Sequence, residues 1–389
     1  MAIEEPIPIE IAGLDGRIHE LSAGPASTVA DVKRQLSHKT GKTPECLRLL
    51  WGTRLLDDGE MIGGLGLPSL GASLTLLVRR EQLVLSGDTD GELRLWSADS
   101  GSCLRTFPPP PCHVSVAARS VCASWDEMLA LCGYSDGRLD LWDLSAAESL
   151  RTFTGHSGPV QGVAVNWAGR VALSGSRDRS LKLWDLDTGM CQQTIACSSP
   201  VLALAADWAS SRALSAHENG TLQLWDLRAG DGDIVRTFAG HTRHALALAV
   251  DWSVSRALSG SLDCRMRLWD LESGECLRAF VVKQLPHRGD AVNAVAMDWP
   301  RQRAVSGSGN SSLQLWDLLS GHCLCTLEVP LACPVSAVAL LAARGPDAAG
   351  CAVLTGSSDR RVRLWDLCRG ACLKTMEGHG GPVLAMTAG

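Results

Sequence analysis

The sequence of 389 residues is 46% hydrophobic and 20% charged, which is typical of packed globular domains and not of a disordered chain. The formal net charge at pH 7 is -6 and no basic cluster is present, which argues against a nucleic-acid-binding surface. No apolar run has the length of a membrane span, and the N-terminus MAIEEPIPIE is acidic where a secretory signal is basic. We therefore expect an intracellular protein of the cytoplasm or the nucleus that binds neither nucleic acid nor membranes.

Residues 7–80 have the pattern of a small α+β domain. IPIEIAGLDGRIHEL predicts a hairpin with a turn rich in glycine and aspartate, and STVADVKRQLSHKTG predicts a helix capped by Ser27 or Thr28. LRLLWGTRLLDDG and SLTLLVRR predict further strands. In this order, and most specifically in TVADVKRQL and RLLWGTRLLDDG, the segment resembles the ubiquitin-like β-grasp family. The resemblance implies a ubiquitin-like domain over residues 1–81.

The resemblance also implies a partner-binding surface on this domain. The family's apolar recognition patch falls on three aliphatic residues, Leu14, Leu50 and Leu77. An exposed apolar triad marks a binding surface, or alternatively a surface that docks onto the remainder of the chain. The family's Gly-Gly conjugation tail is absent, because VRREQLVL continues directly into the next region. We therefore expect a fused module and not a modifier that is attached to other proteins.

Beyond residue 82 a fixed ladder of residues recurs seven times, with a period of about 41 to 49 residues. Each copy ends in a tryptophan: Trp96, Trp142, Trp184, Trp225, Trp269, Trp316 and Trp365. Ten positions earlier stands a small residue: Ser86, Cys132, Ser174, Ser215, Ser259, Ser306 or Thr355. Six positions earlier stands Asp or Asn: Asp90, Asp136, Asp178, Asn219, Asp263, Asn310 or Asp359. Such a period predicts a propeller, in which each blade buries its faces against its neighbours.

Histidine extends the ladder in some repeats. His156 and His241 each stand eighteen positions before the small residue, which allows an imidazole, a hydroxyl, a carboxylate and an indole to form one buried hydrogen-bonded chain. The repeats closely resemble the WD40 family, and the resemblance implies that such a tetrad ties the outer loop of a blade to its central hairpin. The implied tetrads are His156, Ser174, Asp178 and Trp184, and His241, Ser259, Asp263 and Trp269.

The two ends of this region complete one repeat. The first repeat lacks a leading strand, whereas the chain ends in MEGHGGPVLAMTAG, a leading strand with no repeat after it. We therefore predict a mainly β structure in which residues 82–389 form a seven-bladed propeller closed by residues 383–387, preceded by the β-grasp domain. Closure predicts a third tetrad of His379, Ser86, Asp90 and Trp96.

Several repeats depart from the ladder. Cys132 and Thr355 replace serine, Asn219 and Asn310 replace aspartate, and the fourth repeat has Cys197 where histidine is expected. Histidine is also missing from the seventh repeat. We expect these blades to be held less tightly.

The fifteen cysteines do not have the spacing of a metal or disulfide site. No C-x-x-C pair occurs, and five cysteines are copies of one slot, from which we expect small buried side chains: Cys103, Cys191, Cys276, Cys323 and Cys372. The recurring Ser, His and Asp form scaffolding and not a catalytic triad, and no glycine-rich phosphate loop opens a helix. We expect no enzymatic activity, no cofactor and no metal.

These features favour a non-enzymatic adaptor that binds proteins or peptides. The residues before each turn Asp or Asn vary between blades, and together with the loop after His241 they predict a binding face of Arg177, Glu218, Leu262 and Arg243. LWDLRAG resembles the docking box of WD40 proteins that attach to cullin-RING ubiquitin ligases, with Trp225, Asp226 and Arg228. This suggests ubiquitin-ligase or proteasome components as partners. The alternatives are a structural assembly platform and an enzyme regulatory subunit, both unrelated to ubiquitin.

Overall fold

The computed structural model describes most of the chain, in ranges 7–13, 17–40, 47–51, 54–65, 72–78, 81–109, 116–228, 232–282, 291–330, 333–341 and 352–389. Two compact units are present. The first contains Met1–Gln82 with Ser97–Ser100, and the second contains Leu83–Trp96 with Gly101–Gly389.

The N-terminal unit is a mixed five-stranded sheet with one α-helix. Its elements are β1 (Ile7–Gly13), β2 (Ile18–Ala23), α1 (Val29–Thr40), β3 (Leu47–Trp51), β4 (Arg54–Leu55) and β5 (Ala72–Val78). The strand order is β2-β1-β5-β3-β4, in which β1 and β5 are parallel and the other neighbours are antiparallel. The helix buries Val29, Val32 and Leu36 against apolar residues of the sheet such as Ile11 and Leu49.

Thr28, and not Ser27, caps this helix. The Thr28 Oγ1 accepts from the Asp31 N–H at 3.3 Å, and the Asp31 carboxylate accepts from the Thr28 N–H at 2.8 Å. This reciprocal arrangement satisfies two backbone donors that the helix leaves open at its start. The hydrogen bonds from Thr28 lower the pKa of Asp31, so its negative charge is retained at the positive end of the helix dipole.

The second unit consists of antiparallel four-stranded sheets, of which the described residues form seven. We call each sheet a blade and number the blades by their tryptophans in chain order. Blade 1 contains β33 (Val383–Ala388), β6 (Leu83–Asp88), β7 (Leu93–Ser97) and β8 (Cys103–Phe107). Blade 2 contains β9 (Ala118–Ser124), β10 (Leu129–Tyr134), β11 (Leu139–Asp143) and β12 (Glu148–Phe153). Blade 3 contains β13 (Val160–Asn166), β14 (Val171–Ser176), β15 (Ser180–Asp185) and β16 (Cys191–Ala196).

The other four blades repeat the same order of strands. Blade 4 contains β17 (Val201–Asp207), β18 (Arg212–His217), β19 (Leu222–Asp226) and β20 (Asp233–Phe238). Blade 5 contains β21 (Ala245–Asp251), β22 (Arg256–Ser261), β23 (Arg265–Asp270) and β24 (Cys276–Val281). Blade 6 contains β25 (Val292–Asp298), β26 (Arg303–Ser308), β27 (Ser312–Asp317) and β28 (Cys323–Glu328). Blade 7 contains β29 (Val335–Leu340), β30 (Ala352–Ser357), β31 (Arg361–Asp366) and β32 (Ala371–Glu377).

The blades form a closed ring. The first strands of neighbouring blades contact one another from β9 through β13, β17, β21, β25 and β29 to β33, and β33 contacts β9 in turn. The last strand of the chain, β33, pairs antiparallel with β6, from Val383 opposite Asp88 to Ala388 opposite Val84. Blade 1 is therefore assembled from both ends of the propeller sequence, and the ring has the architecture of a β-propeller.

Aromatic pairs join successive blades. The outer strand of blade 2 ends in Phe153, whose ring lies 5.8 Å from that of Trp184 in blade 3 in an edge-to-face arrangement. Equivalent pairs at 5.7 to 5.8 Å are Phe107 with Trp142, Phe238 with Trp269, and Phe280 with Trp316. Because these rings are almost fully buried, the pairs contribute both apolar burial and oriented contact at the blade interfaces.

The expectation that the repeated cysteines are buried is wrong. Cys103, Cys191, Cys276, Cys323 and Cys372 are all exposed. Each is the first or second residue of the fourth strand of its blade. This strand is the outer edge of the sheet, and no further strand covers it. The cysteines among the described residues are all unbridged, and of these Cys132 and Cys197 are buried.

Candidate functional site: the turn face and its supporting tetrads

The structure brings together the four tetrad side chains of blade 3. The Trp184 indole donates to the Ser174 Oγ at 2.8 Å, and the same oxygen lies 2.7 Å from the Nε2 of His156. The His156 Nδ1 lies 2.8 Å from the Asp178 Oδ2. Since a carboxylate only accepts, Nδ1 carries the proton and Ser174 donates to Nε2. The hydrogen bonds thus run in one direction from the tryptophan to the aspartate.

Blade 5 repeats this geometry. Trp269 donates to the Ser259 Oγ at 2.8 Å, the His241 Nε2 lies 2.7 Å from that oxygen, and the His241 Nδ1 lies 2.9 Å from the Asp263 Oδ2. The backbone N–H of Thr242 also donates to the Asp263 Oδ2 at 3.1 Å. The carboxylate therefore ties the loop that begins blade 5 to the turn between its second and third strands.

Burial sets the protonation state of these hydrogen-bonded tetrads. It lowers the pKa of His156 and of His241, whose side chains are inaccessible to solvent, despite the opposing effect of the partner aspartate. Burial alone would raise the pKa of Asp178 and Asp263, but the hydrogen bonds that they accept outweigh it and both pKa values are lowered. At neutral pH each tetrad therefore pairs a neutral imidazole with a carboxylate.

In blade 1 the aspartate predicted from the sequence is the wrong one. Ser86 accepts from Trp96 at 2.8 Å and lies 2.7 Å from the His379 Nε2, but the His379 Nδ1 is 2.9 Å from Asp88 and not from Asp90. Asp88 follows Ser86 by two positions on β6, so both side chains lie on one face of the strand. Asp88 is fully buried whereas Asp90 is exposed in the turn.

In blades 2 and 4, the residue two positions after the small residue supplies the hydrogen-bonding group that the blade otherwise lacks. In blade 2, where Cys132 replaces serine, the Trp142 indole donates to the Tyr134 hydroxyl at 3.2 Å. In blade 4, which lacks the expected histidine, His217 supplies the imidazole: its Nε2 is 2.8 Å from the Ser215 Oγ, which accepts from Trp225. The substitutions therefore leave the tryptophans of these blades bonded.

In blade 7, which lacks the expected histidine, the turn aspartate pairs with an arginine. Trp365 donates to the Thr355 Oγ1 at 2.9 Å, and the Arg363 guanidinium pairs with Asp359 at 2.5 Å. Arg363 lies opposite Thr355 in the pairing of β30 with β31, and both members of the ion pair are nearly inaccessible to solvent. A buried pair of this kind is costly to break, because one charge would remain uncompensated.

The lowered histidine pKa values predict that the propeller is sensitive to acid. The unfolded chain binds protons at His156, His217 and His241 more readily than the folded one, so stability is fully present above about pH 6.5 and is lost as pH falls through the folded pKa values. We expect urea titrations to give a lower unfolding free energy at about pH 5.5 than at about pH 8. A variant with His156→Gln and His241→Gln should be less stable at pH 8 and lose less on acidification. An unfolding free energy that rises between pH 8 and pH 5.5 would contradict this account.

The four residues of the predicted binding face divide into two groups. Arg177 is exposed and lines a cavity between the first strands of the blades. The other three lie around His244: the Glu218 carboxylate is 3.9 Å from its Nε2, the Leu262 N–H donates to its carbonyl at 2.9 Å, and Arg243 precedes it in the chain. Arg243 is exposed, whereas Glu218 and Leu262 are half-buried.

The residues of the docking-box motif have different environments. Trp225 is buried and its indole serves the internal hydrogen bond to Ser215. The Asp226 carboxylate accepts from the Arg228 N–H at 2.9 Å, and the Arg228 guanidinium is exposed and donates to the Ser210 carbonyl at 2.8 Å. Arg228 is thus the member of the motif that a partner can reach.

The apolar patch of the N-terminal unit is described in part. Leu14 lies outside the described residues, and Leu77 is placed in β5 opposite Arg48. Leu50 is half-buried in β3, where the alternating Leu47 and Leu49 are buried in the core. Since successive side chains of a strand point to opposite faces, Leu50 lies on the face away from the core.

Within the described ranges, no group of three or more His, Cys, Asp or Glu side chains is arranged to hold a metal ion. None of the helices described is long and apolar enough to cross a membrane.

Comparison with known proteins identifies the repeats. Residues 147–185, 232–270 and 321–366 match the family described as WD domain, G-beta repeat. The chain contains WD40 repeats. Each matched segment begins next to the outer strand of one blade and ends just after the tryptophan of the next, so a WD40 repeat spans two blades. The first two segments contain the complete tetrads of blades 3 and 5, and the third contains the Arg363–Asp359 ion pair of blade 7.

A solved structure shares its fold with most of this chain. The crystal structure of the computationally designed Ika8 protein superposes with a TM-score of 0.58 at 24% sequence identity, covering 78% of this chain and 86% of that chain. Among proteins with curated descriptions, no significant match was found.

The repeats contain a sequence signal for the side chains that complete blades 1, 2 and 4 and that the ladder alone does not predict. Two positions after the small residue stand Asp88, Tyr134, Ser176, His217, Ser261, Ser308 and Ser357. Four of the seven are serine, and the three that differ are the ones that complete blades 1, 2 and 4. A strand position that shares a face with the key serine is where a compensating side chain is expected.

Proposed function

We propose that this chain is a non-enzymatic adaptor in which the WD40 propeller binds a protein or peptide on its turn face and the N-terminal unit binds a second protein. WD40 repeats imply a scaffold for protein–protein interactions. The observation that carries the proposal is the contrast between the buried tetrads, which fix the frame of the blades, and the unlike side chains displayed just before each turn aspartate or asparagine. A constant frame with a variable surface suits selective recognition.

The N-terminal unit is proposed to be a ubiquitin-like β-grasp module over residues 1–81. The strand order β2-β1-β5-β3-β4, the parallel central pair and the helix after the first hairpin support this assignment. The patch of Leu14, Leu50 and Leu77 is its proposed binding surface, for which the outward position of Leu50 is the supporting observation.

We propose that the chain acts in the ubiquitin pathway. The docking-box motif supports it, because Arg228 is exposed just after β19 of blade 4 and is held there by the Ser210 carbonyl. We propose a substrate receptor or shuttle-like adaptor that contacts ubiquitin-ligase or proteasome components.

Affinity purification with the full-length chain tests this setting. We expect Leu50→Asp to remove proteasomal or ubiquitin-ligase components from the captured proteins, because a carboxylate opposes apolar contact. Ile18→Asp is the matched control, since it adds the same charge at a 63% exposed apolar residue of another strand. If the two variants capture the same components as the parent chain, the leucine patch does not bind this class of partner.

A further inference from the structure

A β-bulge occurs at the same place in every blade. In blade 3, Val160 is opposite Ser176 and Gly162 is opposite Gly175, so the pairing of β13 with β14 skips Gln161. The first strands of the other six blades skip one residue in the same way. A bulge leaves the extra residue unpaired and redirects its side chain.

The skipped residues of all seven blades line one cavity of about 330 Å³. Because each comes from the innermost strand of a different blade, the cavity lies on the axis of the ring. Blade 2 contributes Arg119, three blades contribute the polar Gln161, Asn293 and Ser336, and the remaining three contribute leucines. Arg177 reaches the same cavity from the turn of blade 3, which places the cavity at the turn face.

This cavity has an unbalanced positive charge. No carboxylate is among the described residues that line it, and within the described part of the chain neither Arg119 nor Arg177 has a hydrogen-bond or ion-pair partner for its side chain. Arg119 and Arg177 line the same cavity, and partial desolvation there, with the charge of Arg177 as the smaller cause, lowers the pKa of the Arg119 guanidinium. Each still carries a planar set of donors suited to a carboxylate.

We propose that this axial cavity binds the carboxylate side chain of an acidic, extended peptide segment, held between Arg119 and Arg177 of adjacent blades. The inference rests on the proposed function and adds the chemistry of the partner. Charge complementarity selects an acid, and the leucines and amides around the arginines offer contacts to the peptide's apolar stem and backbone that a small inorganic anion lacks.

The test uses the full-length chain and a fluorescein-labelled hexaglutamate peptide, followed by anisotropy at low ionic strength. We expect saturable binding that weakens as salt is added, because exposed charge pairs are screened. The double change Arg119→Ala and Arg177→Ala should weaken it by roughly tenfold or more, since two charge-assisted contacts are lost. Arg105→Ala with Arg151→Ala is the matched control, because these arginines are exposed on outer strands and their loss makes the same change in net charge.

Three outcomes would overturn the proposal. The peptide fails to bind the parent chain, the control double variant loses as much affinity as the test variant, or inorganic phosphate displaces the peptide better than sodium chloride of equal ionic strength. The last outcome would assign the cavity to small anions. Capture of cellular proteins by the same variants separates this inference from the proposed function: partners retained by the Arg119→Ala, Arg177→Ala variant leave the adaptor function standing without the acidic-segment site.

Discussion

Deletion of residues 378–389 is expected to abolish the cooperative folding of the propeller. The deletion removes β33, which buries Val383 and Ala385, and leaves β6 as an unpaired sheet edge in blade 1. It also removes His379, which bonds Ser86 and the fully buried Asp88, so that carboxylate loses its imidazole donor. We expect aggregation or a broad, non-cooperative transition when thermal unfolding is followed by tryptophan fluorescence.

His379→Ala in the full-length chain separates the two effects of the deletion. This variant keeps the strand that closes the ring, so it should unfold in one transition at a lower temperature than the parent chain. A truncated chain whose transition matches that of the parent would refute closure of blade 1 by β33.

Asp88→Ala is expected to destabilise the propeller more than Asp90→Ala does. Asp88 is inaccessible to solvent and accepts from the His379 imidazole and from the Asp90 and Glu92 N–H groups. Its loss therefore leaves the buried imidazole and two partly buried N–H groups without their acceptor. We expect a cost of about 1–3 kcal/mol for Asp88→Ala, and a change within about 0.5 kcal/mol for the exposed Asp90. Denaturant titrations of the two variants measure both values, and the opposite ranking would restore the assignment made from the ladder alone.

The repeat, its strands and the tetrads of blades 3 and 5 follow from the spacing of a few residues. Trp184 and Ser174 are ten positions apart because they lie across one tight hairpin, and the pairing of β14 with β15 fixes which residues face one another. Spacing within a hairpin is a local property, so the sequence contains it directly. The histidine stands just before the first strand of the blade, which pairs with the second strand, so its contact is local as well and the four side chains of each tetrad meet where the ladder places them.

The ladder does not show which side chain on the same strand face replaces a missing member of a tetrad. Asp88, Tyr134 and His217 occupy a position that is serine in most blades, and each bonds a group that the ladder leaves without its usual partner. A fixed offset cannot distinguish Asp88 from Asp90, because both stand near the turn and only packing decides which of them is buried.

The role of Arg119 could not be read from the sequence for a related reason. The residue lies in a first strand whose pairing skips it, and the bulge directs its side chain to the ring axis. The convergence of seven such residues depends on the closure of the ring, a contact between segments almost 300 residues apart. Sequence patterns within one repeat do not carry that information.

The adaptor account is tested most directly by changing the four predicted turn-face residues together. Arg177, Glu218, Arg243 and Leu262 are replaced by alanine in the full-length chain, and the proteins captured from cells are compared with those of the parent. A matched control replaces two arginines, one glutamate and one leucine on the outer strands: Arg105, Glu148, Leu150 and Arg151.

We expect the turn-face variant to lose the partners that the parent and the outer-strand control both capture, with a melting temperature close to that of the parent. Full retention of those partners by the turn-face variant, together with their loss from the outer-strand control, would contradict the account and place the binding surface on the rim of the propeller.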